Sequence, residues 1–470
     1  MPSTWQRLRR SSFFLNLASL SGATVLNRLI GLATLGYSAR VLGPDRYGML
    51  GFGASITAYA GILLSPGLTT WGLRAIAREP ASAGRTMVLV NATQFVLAFV
   101  GFAGLAAFSF FGVHDPLERS ILLLCGLLLF QNALNADWVL SGLELPRIPA
   151  MIGVLGTAAS TVALLTLVRH PADVRIAATL PVLTGLATTV AGYVVLLRLL
   201  RVRPQWPTPS QFRVALLASL PLGATLALVV VLHYANNVIV RAYLGAAELG
   251  VFLAAFRLFE LASTIPSVLS NAFFPRLART VANAPDRAAR EARLFARVHM
   301  VPAFLGAAFM LAESPTIIRL IYGPRYAAAA QLLQVMSVAI VFNYAICGYT
   351  NCLISYGRDR VMLAVVAAST VVSVAGGLLA VPRFGGLGAA GVVAAIDLVG
   401  WLVSLRTYRR VIGSLQFAAW VWPAIGAGCV VLASLLLQSW HVPWWWRGPL
   451  LLGVYLPVVV VEFRSATRAG

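Results

Sequence analysis

Arg257, Glu260, Thr264, Ser267 and Asn271 recur at steps of three and four residues through an otherwise apolar run. On an α-helix that spacing sets all five on one face about 80° wide. An ionisable group in hydrocarbon costs on the order of 2.5–3.5 kcal/mol on insertion scales, so such a face must meet protein or water. Arg257 and Glu260 can also pair along the helix. Two readings follow: a pair that glues two helices, or a cavity-lining stripe. The stripe is the preferred one. Arg28 lies in a second apolar run, with Ser21 and Thr24 on its face and no acid nearby. Its charge must be met by an acid on another helix or by an anionic substrate. Asn236 and Asn237, with His233 and Arg241, add polar groups in a third run. Such polar groups serve as interhelical glue. Gln131 and Asn135 share one face of another run, and Asn343, Cys347 and Thr350 share one face of a further run.

The acids Asp137, Glu260 and Asp397 fall inside apolar runs. A transporter driven by a proton or sodium gradient needs such a carboxylate, although each acid would equally neutralise an arginine across a helix interface. No pair of acids has hydrolase spacing, and there is no nucleophile elbow. The four cysteines lack CxxC spacing, and the five histidines form no ligand pair. No catalytic residue, metal site or cofactor is expected.

The elements that must carry these side chains are membrane-spanning helices. Of 470 residues, 59% are hydrophobic and 11% charged, and the mean hydropathy is +0.83. Fourteen apolar stretches, most about 17–28 residues long, are each able to cross a bilayer core at about 1.5 Å per residue. They lie near 14–40, 47–68, 86–111, 120–140, 148–168, 176–199, 214–242, 249–273, 297–312, 331–353, 361–381, 388–405, 418–437 and 445–463. The basic stretch before the first resembles a signal peptide, but the apolar run is too long and lacks a clear cleavage site. It reads as a retained anchor.

All 36 basic residues are arginine. Without lysine the chain holds neither a Walker-A loop nor a Schiff-base amine. The net charge of +21 would suggest nucleic acid in a soluble protein. Here the distribution accounts for it. With both termini in the cytoplasm and fourteen alternating spans, the inner segments hold 24 arginines and the outer loops 10, leaving Arg28 and Arg257 within spans. That is the positive-inside pattern, and no nucleic-acid partner is expected.

Residues 200–213, rich in proline and arginine, divide the chain. Leu42–Gly48 resembles Leu244–Gly250 at an offset of 202, and the same offset carries Arg74 onto Arg276. Six spans separate the matches, so the repeat is parallel, as in some transporters. The expected fold is an all-α polytopic membrane protein with two six-helix lobes, residues 1–205 and 206–413, facing each other across a central cavity. Residues 414–470 add two C-terminal spans. The segment from Pro275 to Ala296 reads as a short basic helix resting on the cytoplasmic surface.

An ordered set of motifs then carries a resemblance along nearly the whole chain: YSARVLGPDRYG (37–48), GLRAIAR (72–78), DWVLSGLE (137–144), FFPRL (273–277), IYGPRY (321–326) and FGGLGAAG (384–391). Together they resemble the Wzx-type polysaccharide and O-antigen flippases, the polysaccharide transporter branch of the multidrug/oligosaccharidyl-lipid/polysaccharide exporter superfamily. The resemblance implies a flippase of the bacterial inner membrane. It would move an undecaprenyl-diphosphate-linked oligosaccharide between leaflets by alternating access, for O-antigen, capsule or exopolysaccharide synthesis. Polymerase and chain-length proteins of the same pathway would be partners, and a proton or sodium ion would drive the cycle. In that setting Arg28 and Arg257 would hold the diphosphate, and Glu260, Thr264, Asn236 and Asn237 would meet the sugar. Arginine in place of every lysine and the scarcity of acids leave the coupling ion open.

Three rivals remain. A multidrug exporter would favour a negatively charged cavity for cationic drugs. A lipid II flippase would need a similar basic cavity. A membrane polysaccharide polymerase, the enzymatic alternative, would need a large outer loop, and the outer loops here are short.

Overall fold

The computed structural model describes residues 4–64, 67–199, 202–413 and 418–468. The side chains of residues up to 29, of 63–64, 199, 221–222, 272, 285 and 418–419, and from 462 onward lie outside the description. Among the described residues every regular element is helical. In chain order the α-helices are α1 (Thr4–Leu64), α2 (Leu68–Arg78), α3 (Ala83–Gly112), α4 (Pro116–Gly126), α5 (Leu128–Ala133), α6 (Asp137–Gly142), α7 (Arg147–Leu167) and α8 (Val174–Val194). They continue with α9 (Pro209–Leu244), α10 (Ala246–Ala262), α11 (Ile265–Asn283), α12 (Pro285–Ile321), α13 (Ala329–Ser355), α14 (Arg360–Val411), α15 (Ala418–Ser439) and α16 (Trp444–Arg468).

Eleven helical stretches among the described residues are long and apolar enough to cross a membrane. Two helices hold two spans each. A straight α14 of 52 residues would be about 78 Å long, more than twice a bilayer core. It breaks at Gly385 (φ 60°, ψ −140°). Likewise α1 breaks at Gly43 (φ 76°, ψ 168°), just before Pro44. One further span in α14 and two in α1 bring the eleven to the fourteen expected. The chain is a multi-pass membrane protein.

The glycines matched by the 202-residue offset share a backbone conformation. Gly245 sits at φ 94°, ψ 177°, close to Gly43, in a region essentially restricted to glycine. A turn of the same conformation thus opens the second helix of each repeat.

The chain divides into two compact units, Met1–Val238 and Ile239–Gly470. In the first, Leu68, Ile76, Met87, Trp138, Val139 and Leu140 form a buried cluster joining α2, α3 and α6. Gly72 permits this: a Cβ there would lie 2.6 Å from the Trp138 ring. In the second, α15 and α16 pack on α12 through Ala308, Val430, Leu451 and Tyr455, and the Tyr455 hydroxyl donates to the Val301 carbonyl at 2.8 Å.

Four local expectations change. The fourth span is broken into α4, α5 and α6; between α5 and α6 the Asn135 side chain accepts the Asp137 N–H at 2.7 Å and turns the chain out of α5. The eighth span breaks between α10 and α11, where Pro266 has no N–H for the Ala262 carbonyl. The Tyr344 hydroxyl donates to that carbonyl at 3.0 Å instead. The basic segment 275–296 is no separate surface helix. It forms the end of α11 and the start of α12, tied by Arg276 to Glu291 at 2.7 Å. Finally, α2 is an additional helix where a loop was expected.

Candidate functional site

The polar stripe of the eighth span lies in the second unit. Helix α10 is otherwise the best-buried candidate span, with Val251 to Ala255 and Leu258–Phe259 all buried. Arg257 and Glu260 interrupt that burial at 29% and 28% side-chain exposure and pair at 2.6 Å. Thr264 is the N-cap residue of α11, and its hydroxyl bonds back to the Leu261 carbonyl at 2.7 Å. Ser267 and Asn271 are exposed beyond it. The break at Pro266 interrupts the helical face expected of the five side chains: Arg257 and Glu260 lie on α10, Thr264 at the break, and Ser267 and Asn271 on α11, all at least partly exposed. The Arg257 guanidinium is paired with Glu260 and its side chain remains 29% exposed, so it is not sealed from its surroundings; a guanidinium suits an oxyanion by its fork of N–H donors.

Asn236 and Asn237 lie on α9 in the first unit, at 4% and 2% exposure. Asn237 Nδ2 donates to the Ser55 hydroxyl at 3.0 Å, and that hydroxyl donates on to the Gly51 carbonyl at 2.7 Å. The pair joins α9 to the second limb of α1. The Asn237 Oδ1 has no hydrogen-bond partner among the described residues. Arg28 falls on α1 where side chains lie outside the described residues.

The three acids sit in separate environments. Asp137 Oδ2 accepts from Asn135 Nδ2 at 3.2 Å in the first unit. Glu260 belongs to the Arg257 pair. Asp397, on the second limb of α14, is 8% exposed and accepts from Asn343 Nδ2 at 3.3 Å. Asn343 thus meets an acid on the neighbouring helix, while Cys347 joins a different cluster.

Two polar clusters in the second unit were not foreseen. Glu313, 3% exposed, pairs with Arg447 at 3.1 Å, accepts from the Ser434 hydroxyl at 2.7 Å and from Gln438 at 3.4 Å. This fastens α15 and α16 to α12. Fully buried His299 contacts the Ser270 hydroxyl at 3.1 Å, and Ser270 also meets Cys347 and Asn351. Glu313 stood at the edge of an expected span and Arg447 among the outer loops, so neither was read as buried. The spacing of Ser434 and Gln438, four apart on one face, was the available signal.

A family model described as "Polysaccharide biosynthesis protein" matches residues 14–281, more than half of the chain. The chain belongs to this polysaccharide biosynthesis family. A second model, MatE, matches residues 221–379, which overlaps the first across α9 to α11. No curated protein matches by sequence. Among solved structures, a lipid II flippase, MurJ, in an inward closed conformation is similar at a TM-score of 0.74 and 12% identity, over 95% of this chain and 99% of that one. An inward-facing multidrug resistance transporter of the MATE family is similar at 0.57 and 16%, over 86% and 94%. A superfamily transporter from Pyrococcus furiosus, reported with a binding pocket of reversed polarity, is similar at 0.53 and 15%, over 88% and 94%. These likenesses establish the shared fold of the polysaccharide biosynthesis family member described here.

Proposed function

We propose that this protein is a flippase for an undecaprenyl-diphosphate-linked oligosaccharide, working by alternating access in the bacterial inner membrane with both termini cytoplasmic. The observation that carries this reading is the family match over residues 14–281, on a fold shared with a lipid II flippase. The chemistry agrees. A diphosphate carries charge that hydrocarbon cannot accept, so a path needs guanidinium groups held in an apolar bundle and still open to water. Arg257 meets that description, and Arg28 is assigned the same task. Thr264 and Ser267 offer hydroxyls for the glycan on the same pair of helices as Arg257, and Asn236 and Asn237 are assigned to the glycan on α9 of the first unit. The lobes are assigned as residues 1–205 and 206–413, with 414–470 appended. Asp137, Glu260 and Asp397 are the carboxylates available to couple a proton or sodium ion. The polymerase and chain-length proteins of the pathway would act on the delivered glycan.

Lipid II is the second substrate in view, favoured by the likeness to its flippase and demanding the same diphosphate chemistry. The test is deletion of the gene, followed by identification of the lipid-linked sugar that builds up on the inner leaflet. A glycan repeat unit on undecaprenyl diphosphate supports the proposal. Lipid II in its place supports the rival, and no accumulated carrier lipid contradicts both. Arg28→Ala and Arg257→Ala are each expected to abolish export while the protein still inserts. Export at the wild-type level would remove these arginines from the substrate path.

A further inference from the structure

A second basic site lies within the first unit. A cavity of about 600 Å³ is walled by α2, the Pro80–Ser82 turn, the first turn of α3 and the start of α9; Arg74, Arg78 and Arg85 line it. Among the described residues none of the three side chains makes a hydrogen bond or ion pair. Glu79 is the one acid in the lining, so the pocket carries a formal excess of two positive charges. Thr86 and Ser210 add hydroxyls and Gln211 an amide. Two helix N-termini, of α3 and α9, open beside it, and their backbone dipoles favour an anion at the same place.

The pocket is held in shape. Leu68, Gly72 and Ile76 seat α2 on the core, leaving Arg74 and Arg78 on its exposed side. The Arg203 carbonyl lies so near Gly84 that a Cβ there would stand 1.9 Å away, which fixes the segment leading into α9. The two connections that build the pocket, between the second and third spans and between the sixth and seventh, fall on one side of the membrane when spans alternate. The arginine distribution makes that side cytoplasmic. Trp71 in the lining and Trp206 at 84% exposure on the adjoining segment are the aromatic residues expected at headgroup depth.

We propose that this pocket binds the phosphate of an anionic lipid headgroup in the cytoplasmic leaflet. Guanidinium forks suit phosphate oxygens in bidentate pairs, and a basic hollow between spanning helices at the inner face is where such headgroups bind. The inference needs only the membrane topology and stands whether or not the transported substrate is a glycolipid. The site would hold α2 against the leaflet and keep a phospholipid beside the first unit.

The test uses the purified full-length protein and native mass spectrometry with equimolar phosphatidylglycerol and phosphatidylcholine, with inorganic pyrophosphate as a competitor. The wild type should retain phosphatidylglycerol at about tenfold preference or more, given roughly 1 kcal/mol per basic residue near the surface. Arg74→Gln/Arg78→Gln/Arg85→Gln should lose that preference, and Arg78→Gln alone should lose a few-fold. The matching lysine set should keep most of it, and Arg358→Gln/Arg360→Gln, outside the pocket, should change nothing. Displacement by pyrophosphate would mark the phosphate as the recognised group. Pyrophosphate binding without lipid retention would keep the phosphate site and assign it to a soluble anion. Equal retention by wild type and the glutamine set, or equal loss in the Arg358/Arg360 control, would overturn the proposal.

Discussion

Arg257 and Glu260 decide how the polar stripe is to be understood. A pair at 2.6 Å and under one-third exposed costs desolvation that its attraction only partly returns. A merely structural pair is therefore replaceable: Arg257→Met/Glu260→Leu should leave both stability and export close to wild type. A substrate-binding arginine predicts a split, with thermal stability in detergent retained and export lost. At Gly245 the issue is conformation. Nothing lies within 4 Å of the Cβ position, yet φ is +94°, so Gly245→Ala should cost about 1–3 kcal/mol through backbone strain alone. A lowered melting temperature with unchanged packing contacts checks this, and an unchanged one would show that the turn relaxes freely.

At the scale of elements, the C-terminal helices are fastened by chemistry as well as by apolar packing. Glu313→Ala leaves Arg447 buried without its carboxylate, which should cost about 3–5 kcal/mol. Glu313→Leu/Arg447→Met should be far milder, as thermal unfolding of both variants would reveal. Gly388 lies where the two limbs of α14 turn back, with the Ala380 carbonyl 2.4 Å from a prospective Cβ. Gly388→Ala should open that turn and destabilise the pair of spans, seen as increased proteolysis near residues 380–390. The sequence made the spans legible because hydropathy over some twenty residues reports one strong requirement, the exclusion of unpaired backbone polar groups from hydrocarbon. It did not reveal the breaks at Asn135 and Pro266, since one is set by a single local side-chain hydrogen bond and the other by a single missing N–H, and either averages out of such a window. The Arg257–Glu260 pair was readable because both partners lie on one helix. Glu313 with Arg447, and Asp397 with Asn343, required knowing which helices are neighbours, and no spacing within a single run carries that.

For the whole molecule, the chain is a multi-pass membrane protein of the polysaccharide biosynthesis family, and the proposal makes it a transporter with a diphosphate-bearing glycolipid as cargo. The repeat seen in the Leu42–Gly48 and Leu244–Gly250 segments reaches down to the shared conformation of Gly43 and Gly245, so both halves begin their second span with the same turn. The most direct measurement places the purified protein in liposomes with undecaprenyl-diphosphate-linked oligosaccharide and follows how much glycan remains protected from an impermeant oxidant. The wild type should equilibrate the glycolipid between leaflets, and Arg257→Ala should leave it confined at the rate of protein-free liposomes. Equal movement by wild type and Arg257→Ala, or none by the wild type under either a proton or a sodium gradient, would contradict the account.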